Sequence, residues 1–138
     1  MRRRKIHITD QDLHRLEELL AVARSSKNGG NGELASLEKE LRRAKIVEPE
    51  RIPPDVVTMN SKVKLRDVDT GEEMTYTLVF PHNAEIDAGR LSILSPVGTA
   101  ILGYSTGDVI EWAVPKGTRR IKIEEIIYQP EAQGHYPL

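Results

Sequence analysis

Hydrophobic positions recur first at helical and then at strand spacing. Leu13, Leu16, Leu20 and Ala23 are separated by 3, 4 and 3 residues, and Leu34, Leu37, Leu41 and Ala44 repeat that spacing. Each series lines its apolar residues along one side of an α-helix. Thr9, three residues ahead of Asp12, resembles a capping box whose hydroxyl accepts from an amide of the first turn, and Ile8 and Leu13 stand at the positions of a hydrophobic staple. Between the two seams lies Ser25-Ser26-Lys27-Asn28-Gly29-Gly30-Asn31-Gly32, which no regular element tolerates. Two matched seams around such a loop predict a short antiparallel helical hairpin, a small coiled coil. Its helices of about 14–16 residues would each be about 21–24 Å long.

Glu48-Pro49 and Pro53-Pro54 break the pattern, because a residue before proline is pushed out of helical geometry. Beyond them the period changes to two. Val57, Met59, Ser61, Val63 and Leu65 face one way and Thr58, Asn60, Lys62, Lys64 and Arg66 the other, the signature of a half-buried strand. Asp69-Thr70-Gly71 supplies a turn into a return strand over 74–80. Further strands are predicted over 90–94, 109–114 and 120–128, with a short helix opened by Pro96 and closed by Gly103. In the last strand the apolar parity switches between Ile123 and Ile126, so a bulge near Glu124-Glu125 is needed to keep the register. The fold class is therefore α+β: a helical hairpin over 1–48, a linker over 49–54, and a twisted antiparallel sheet domain with one short helix over 55–138. The proline break is expected to limit any core shared between the two parts.

Composition narrows the function. The 138 residues include 38% hydrophobic and 30% charged positions, as in a soluble globular protein. One Phe, one Trp and four Tyr leave an aliphatic core and little material for an aromatic ligand pocket, which counts against a small-molecule substrate. The absence of Cys removes disulfides, thiolate nucleophiles and thiolate zinc sites. The basic start Arg2-Arg3-Arg4-Lys5 leads into charged residues and no apolar run approaches about 18 residues, so neither export nor membrane insertion is expected and a cytoplasmic location is. Residues 1–45 carry a balance of +4 and residues 46–138 one of −5, so the halves face different surroundings. With so small a basic excess, a protein surface is the expected partner and nucleic-acid contact is secondary at most.

No catalytic constellation stands out. His7, His14, His82 and His135 lack metal-ligand spacing, no serine lies in a nucleophile elbow, and Gly29-Gly30-Asn31-Gly32 follows a helix where a phosphate loop would follow a strand. Glu72-Glu73 and Glu124-Glu125 are adjacent in strands and so face opposite sides. No catalytic residue, metal site or cofactor is assigned. Leu94-Ser95-Pro96-Val97 places apolar groups in a loop beside a helix start, where docking and local packing are equally good explanations.

Several segments resemble a known family. Asp55-Val56-Val57-Thr58-Met59-Asn60-Ser61-Lys62-Val63, Ser95-Pro96-Val97-Gly98-Thr99-Ala100-Ile101-Leu102-Gly103, Gly107-Asp108-Val109 and Tyr128-Gln129-Pro130-Glu131-Ala132 resemble the Rnk family, the regulators of nucleoside diphosphate kinase. More distantly, the S-P-x-x-x-A-x-x-G and G-D stretches resemble the C-terminal domain of the Gre transcript-cleavage factors. The resemblance implies an N-terminal coiled coil, a C-terminal domain of FKBP-like fold, and bacterial RNA polymerase as partner. In Gre factors the C-terminal domain grips the rim of the polymerase secondary channel while acidic residues at the coil tip help hold a magnesium ion. It thus implies docking through Leu94, Ser95, Pro96 and Val97. The corresponding tip here carries Ser26, Lys27, Asn28 and Asn31, and its nearest carboxylate is Glu33. Without a carboxylate pair the expectation is a regulator that occupies the Gre site and competes there without stimulating cleavage. An active cleavage factor is the rival reading. An FKBP-like isomerase or chaperone is a more remote one, since that fold does not by itself carry isomerase activity.

Overall fold

The computed structural model describes residues 6–25, 32–114 and 117–134. Its elements are β1 (His7–Thr9), α1 (Asp10–Ser25), α2 (Gly32–Arg42), β2 (Lys45–Val47), β3 (Lys62–Asp67), β4 (Glu73–Val79), β5 (Arg90–Ser92), α3 (Pro96–Ile101), β6 (Val109–Val114) and β7 (Gly117–Tyr128). The architecture is α+β: N-terminal helix followed by a five-stranded sheet of order β5-β4-β3-β7-β6.

The sheet is mixed, which corrects the antiparallel expectation. β3 runs antiparallel to both β4 and β7, and β6 antiparallel to β7, but β5 lies parallel to β4. The two short 3-10 turns at Pro81–Asn83 and Ile86–Ala88 carry the chain back, so β5 re-enters in the direction of β4. The bulge foreseen in β7 is present. Lys64 faces Glu125 and Leu65 faces Ile123, so Glu124 is skipped, and a second skip at Ile127 lies between the partners of Lys62 and Val63.

The strand expected from Val57 begins only at Lys62. Asn60 sits in the left-handed region with φ 68°, which an asparagine tolerates better than most residues and which ends extended pairing. Upstream of it the alternation fails at Thr58, which is buried like Val57 and Met59 beside it and donates its amide to Ser61 Oγ at 3.0 Å. A pair of three-residue strands went unforeseen. β1 and β2 pair in parallel at the base of α1 and α2, too short for periodicity to reveal.

The core does not follow the division at the prolines. Leu16, Leu20, Leu37 and Leu41 join Ile6, Ile8, Val57, Met59, Val63, Leu65, Phe80, Ile121 and Ile123 in one cluster of buried residues. Backbone bonds stitch the same boundary: the His7 amide donates to Gly103 O at 3.2 Å, and the Gly103 amide to Val57 O at 2.8 Å. Gly103 is required there. Its φ is +83°, and a Cβ would lie 2.7 Å from the Ile6 Cβ. The loop over Ser26, Lys27, Asn28 and Asn31 lies outside the described residues, as do Arg2–Lys5 and His135, and the side chain of Glu33 is likewise not described.

Candidate functional site

The four docking candidates fall together in the turn from β5 into α3. Ile93, fully buried, donates its amide to Val79 O at 2.9 Å and pins the start of the loop. Ser95 is the N-cap of α3: its hydroxyl accepts from the Gly98 amide at 3.0 Å and donates to Ser92 O at 2.7 Å. Ser92 Oγ accepts from the Leu94 amide at 3.0 Å, and the Thr99 hydroxyl donates to Ile93 O at 2.6 Å. Three hydroxyls thus spend their bonds inside the loop and set its shape.

Leu94 and Val97 are half-buried and pack on the edge of the core, so local packing explains part of their apolar character. Each keeps part of its surface exposed. Pro96 occupies the first turn of α3, and its side chain is not described. Gly98 lets α3 pack closely on the end of β5, since a Cβ there would meet Ser92 O at 2.2 Å. Both bonding positions of the Ser95 hydroxyl are thus committed, one to the α3 cap and one to Ser92 O. Among the described residues no three His, Cys, Asp or Glu side chains gather to hold a metal ion, and no helix is long and apolar enough to cross a membrane.

A second constellation, at the base of α1, escaped the sequence reading. The Asp12 amide donates to Thr9 Oγ1 at 3.1 Å as a capping box requires, but the Asp12 carboxylate reaches across to accept from the Met59 amide at 3.1 Å. Glu131, in the C-terminal 3-10 turn, accepts from the Thr58 hydroxyl at 2.7 Å. The Gln129 side-chain amide donates to Pro53 O and Val56 O, each at 2.8 Å, and holds the proline-rich segment to the end of β7. Arg15 lies over the Phe80 ring at 4.3 Å from its centre, and Arg43, paired with Glu40 at 2.8 Å, reaches the Tyr104 hydroxyl at 3.4 Å. The helices are therefore tied to the sheet by polar as well as apolar contacts. Burial pushes the Asp12 carboxyl up to about 7, helped by the nearby charge of Glu131 and opposed by the Met59 amide and Arg15. The only hints in the sequence were the Thr9/Asp12 spacing and the Gln129-Pro130-Glu131 stretch.

Two family models match the chain in tandem. The Rnk N-terminus covers residues 4–47, and the C-terminal domain of the transcription elongation factors GreA/GreB covers residues 52–128. The "Regulator of nucleoside diphosphate kinase" of Escherichia coli (strain K12) is 41% identical over 139 residues, covering 100% of both chains. Transcription elongation factor GreA of Chlorobium phaeobacteroides is 39% identical over 106 residues, 76% of this chain and 67% of that one. A solved structure, the prokaryotic transcription elongation factor GreA/GreB from Nitrosomonas europaea, has 43% identity and a TM-score of 0.73, covering 91% of this chain and 100% of its own.

Proposed function

The chain belongs to the family of nucleoside diphosphate kinase regulators that carry a GreA/GreB C-terminal domain, and from that membership we propose that it is a non-catalytic transcription regulator. It binds bacterial RNA polymerase at the rim of the secondary channel and competes there with Gre-type factors. α1 and α2 form the two legs of a hairpin arm, and the ridge of Leu94, Ser95, Pro96 and Val97 is the docking contact. The observation that carries this reading is the tandem match of both family models along one chain, at 41% identity to a relative over its full length.

Three further features support it. Both leucine seams enter the same buried cluster, and the flanking strands β1 and β2 pair, as two legs of one arm require. The docking ridge is held rigid by its own hydroxyl network, so binding need not order it. The segment from Ser25 to Gly32 contains no Asp or Glu to deliver a magnesium ion, and the 16 residues of α1 reach only about 24 Å. The arm therefore occupies the channel without the chemistry of cleavage.

Co-purification with core RNA polymerase tests the proposal, using the full chain with and without an excess of GreA. Retention that GreA displaces, and that Leu94→Asp weakens while amide dispersion stays intact, is the expected result. Failure to bind core polymerase at all contradicts it.

A further inference from the structure

Directional ties at the base of α1 converge on one loop. Asp12, just inside the helix, accepts from the Met59 amide at 3.1 Å. His7, just ahead of the helix, donates its amide to Gly103 O at 3.2 Å, and the Gly103 amide in turn donates to Val57 O at 2.8 Å. Val57 also donates its own amide to Tyr104 O at 2.9 Å. The loop that carries Val57 and Met59 is therefore the seat on which α1 is set, and both residues are 0% exposed within the shared cluster. Apolar burial is non-directional, so the cluster holds α1 down while the hydrogen bonds through this loop fix its angle.

The same loop is gripped from another side by residues that follow β7. Gln129, 2% exposed, donates its side-chain amide to Pro53 O and to Val56 O, each at 2.8 Å, which uses both protons of that group. Glu131, 7% exposed, accepts from the Thr58 hydroxyl at 2.7 Å. The attachments alternate along the loop: Val56 and Thr58 bond to the residues after β7, and Val57 and Met59 bond to the groups that seat α1. Polar groups buried this deeply leave an unsolvated partner behind when a bond is lost, so the grip is firm. The GreA/GreB domain match ends at residue 128 and the Rnk N-terminus match at residue 47, so Gln129 and Glu131 belong to neither.

We propose that Gln129 and Glu131 are positioning residues, which strap the loop over 53–59 in place and through it set the angle of α1 against the sheet. Loss of the strap lets α1 sample a wider range of angles while the sheet stays folded. With the strap closed, α1 points in one direction before any partner arrives, and binding need not order it. The strap belongs to the free chain and does not rest on which partner the helices serve.

The chain contains no cysteine, so Ala21→Cys on α1 and Thr75→Cys on β4, both exposed, place one pair of nitroxide labels for double electron–electron resonance on the full chain. With no other change, one narrow distance distribution is expected. Gln129→Ala/Glu131→Ala should widen it by a factor of about two or more while the amide shifts of β3 and β7 hold. A general loss of stability does not produce this result, because folded molecules still dominate the signal under native conditions. In the Gln129→Ala background, Thr58→Val should widen the distribution further, and Thr58→Ser, which keeps the hydroxyl, should not. A folded Gln129→Ala/Glu131→Ala variant with the wild-type distribution, or equal widening by Thr58→Val and Thr58→Ser, overturns the proposal. If that double variant does not fold, Gln129→Ala decides alone: an unchanged distribution overturns the strap.

Discussion

Replacing Leu16 with alanine reaches the whole molecule, because α1 and the sheet bury their apolar residues in one cluster. Leu16 is 0% exposed within that cluster. The substitution removes three carbons, worth about 2.4 kcal/mol at about 0.8 kcal/mol per buried methylene. The cavity left between the helices and the sheet raises the total to about 3–4 kcal/mol, since a site walled on several sides cannot collapse fully. That is a large part of the roughly 5–15 kcal/mol that holds a typical domain folded. It corresponds to a fall in Tm of about 10 °C at this chain length. Urea titration followed by far-ultraviolet circular dichroism for the helices, and by resolved amide signals of β3 and β7 for the sheet, should give midpoints that drop together. A helical signal that melts early while the sheet amides keep the wild-type midpoint would refute the shared core and restore two independent parts.

Further substitutions probe the ties around α3 and between the helices and the rest of the core. Gly103→Ala must accept φ +83° and a contact at 2.7 Å with the Ile6 Cβ, so a loss of about 2–4 kcal/mol is expected in denaturant titration. Ser95→Ala removes the α3 cap and should cost about 1 kcal/mol, whereas Ser95→Asn retains a capping oxygen and should cost less than half of that, as measured by thermal melts. Tyr104→Phe removes one of the hydrogen-bond partners of Arg43 and is expected to cost about 0.5–1.5 kcal/mol. Its effect should nearly vanish in an Arg43→Ala background, the non-additivity that a double-mutant cycle reads.

Much of the fold was legible because it rests on periodicity and punctuation. The two 3-4-3 leucine seams mark α1 and α2, Thr9 caps where its spacing to Asp12 says it should, and the parity switch in the last strand locates the skipped Glu124. What stayed hidden depends on contacts distant in sequence. Nothing local tells that β5 would run parallel to β4, or that residues 7–9 would pair with 45–47. The alternation through Thr58 misleads because Asn60 turns the chain and buries a hydroxyl that an exposed strand face would have left in water. At the candidate site, the sequence brings Leu94 to Val97 into one loop but cannot tell that Ser95 is consumed as a cap. The bonds of Asp12 to Met59 and of Glu131 to Thr58 are invisible for the same reason: 47 and 73 positions separate the partners.

Cleavage of a backtracked transcript by purified RNA polymerase, with GreA present and this protein titrated in, measures occupancy and chemistry together. The protein alone should leave the transcript intact at ample magnesium, and increasing amounts should suppress GreA-stimulated cleavage until it reaches the intrinsic rate of the polymerase. Cleavage stimulated by the protein alone, in a preparation free of Gre factors, or GreA-driven cleavage that stays constant at saturating protein, would contradict the account.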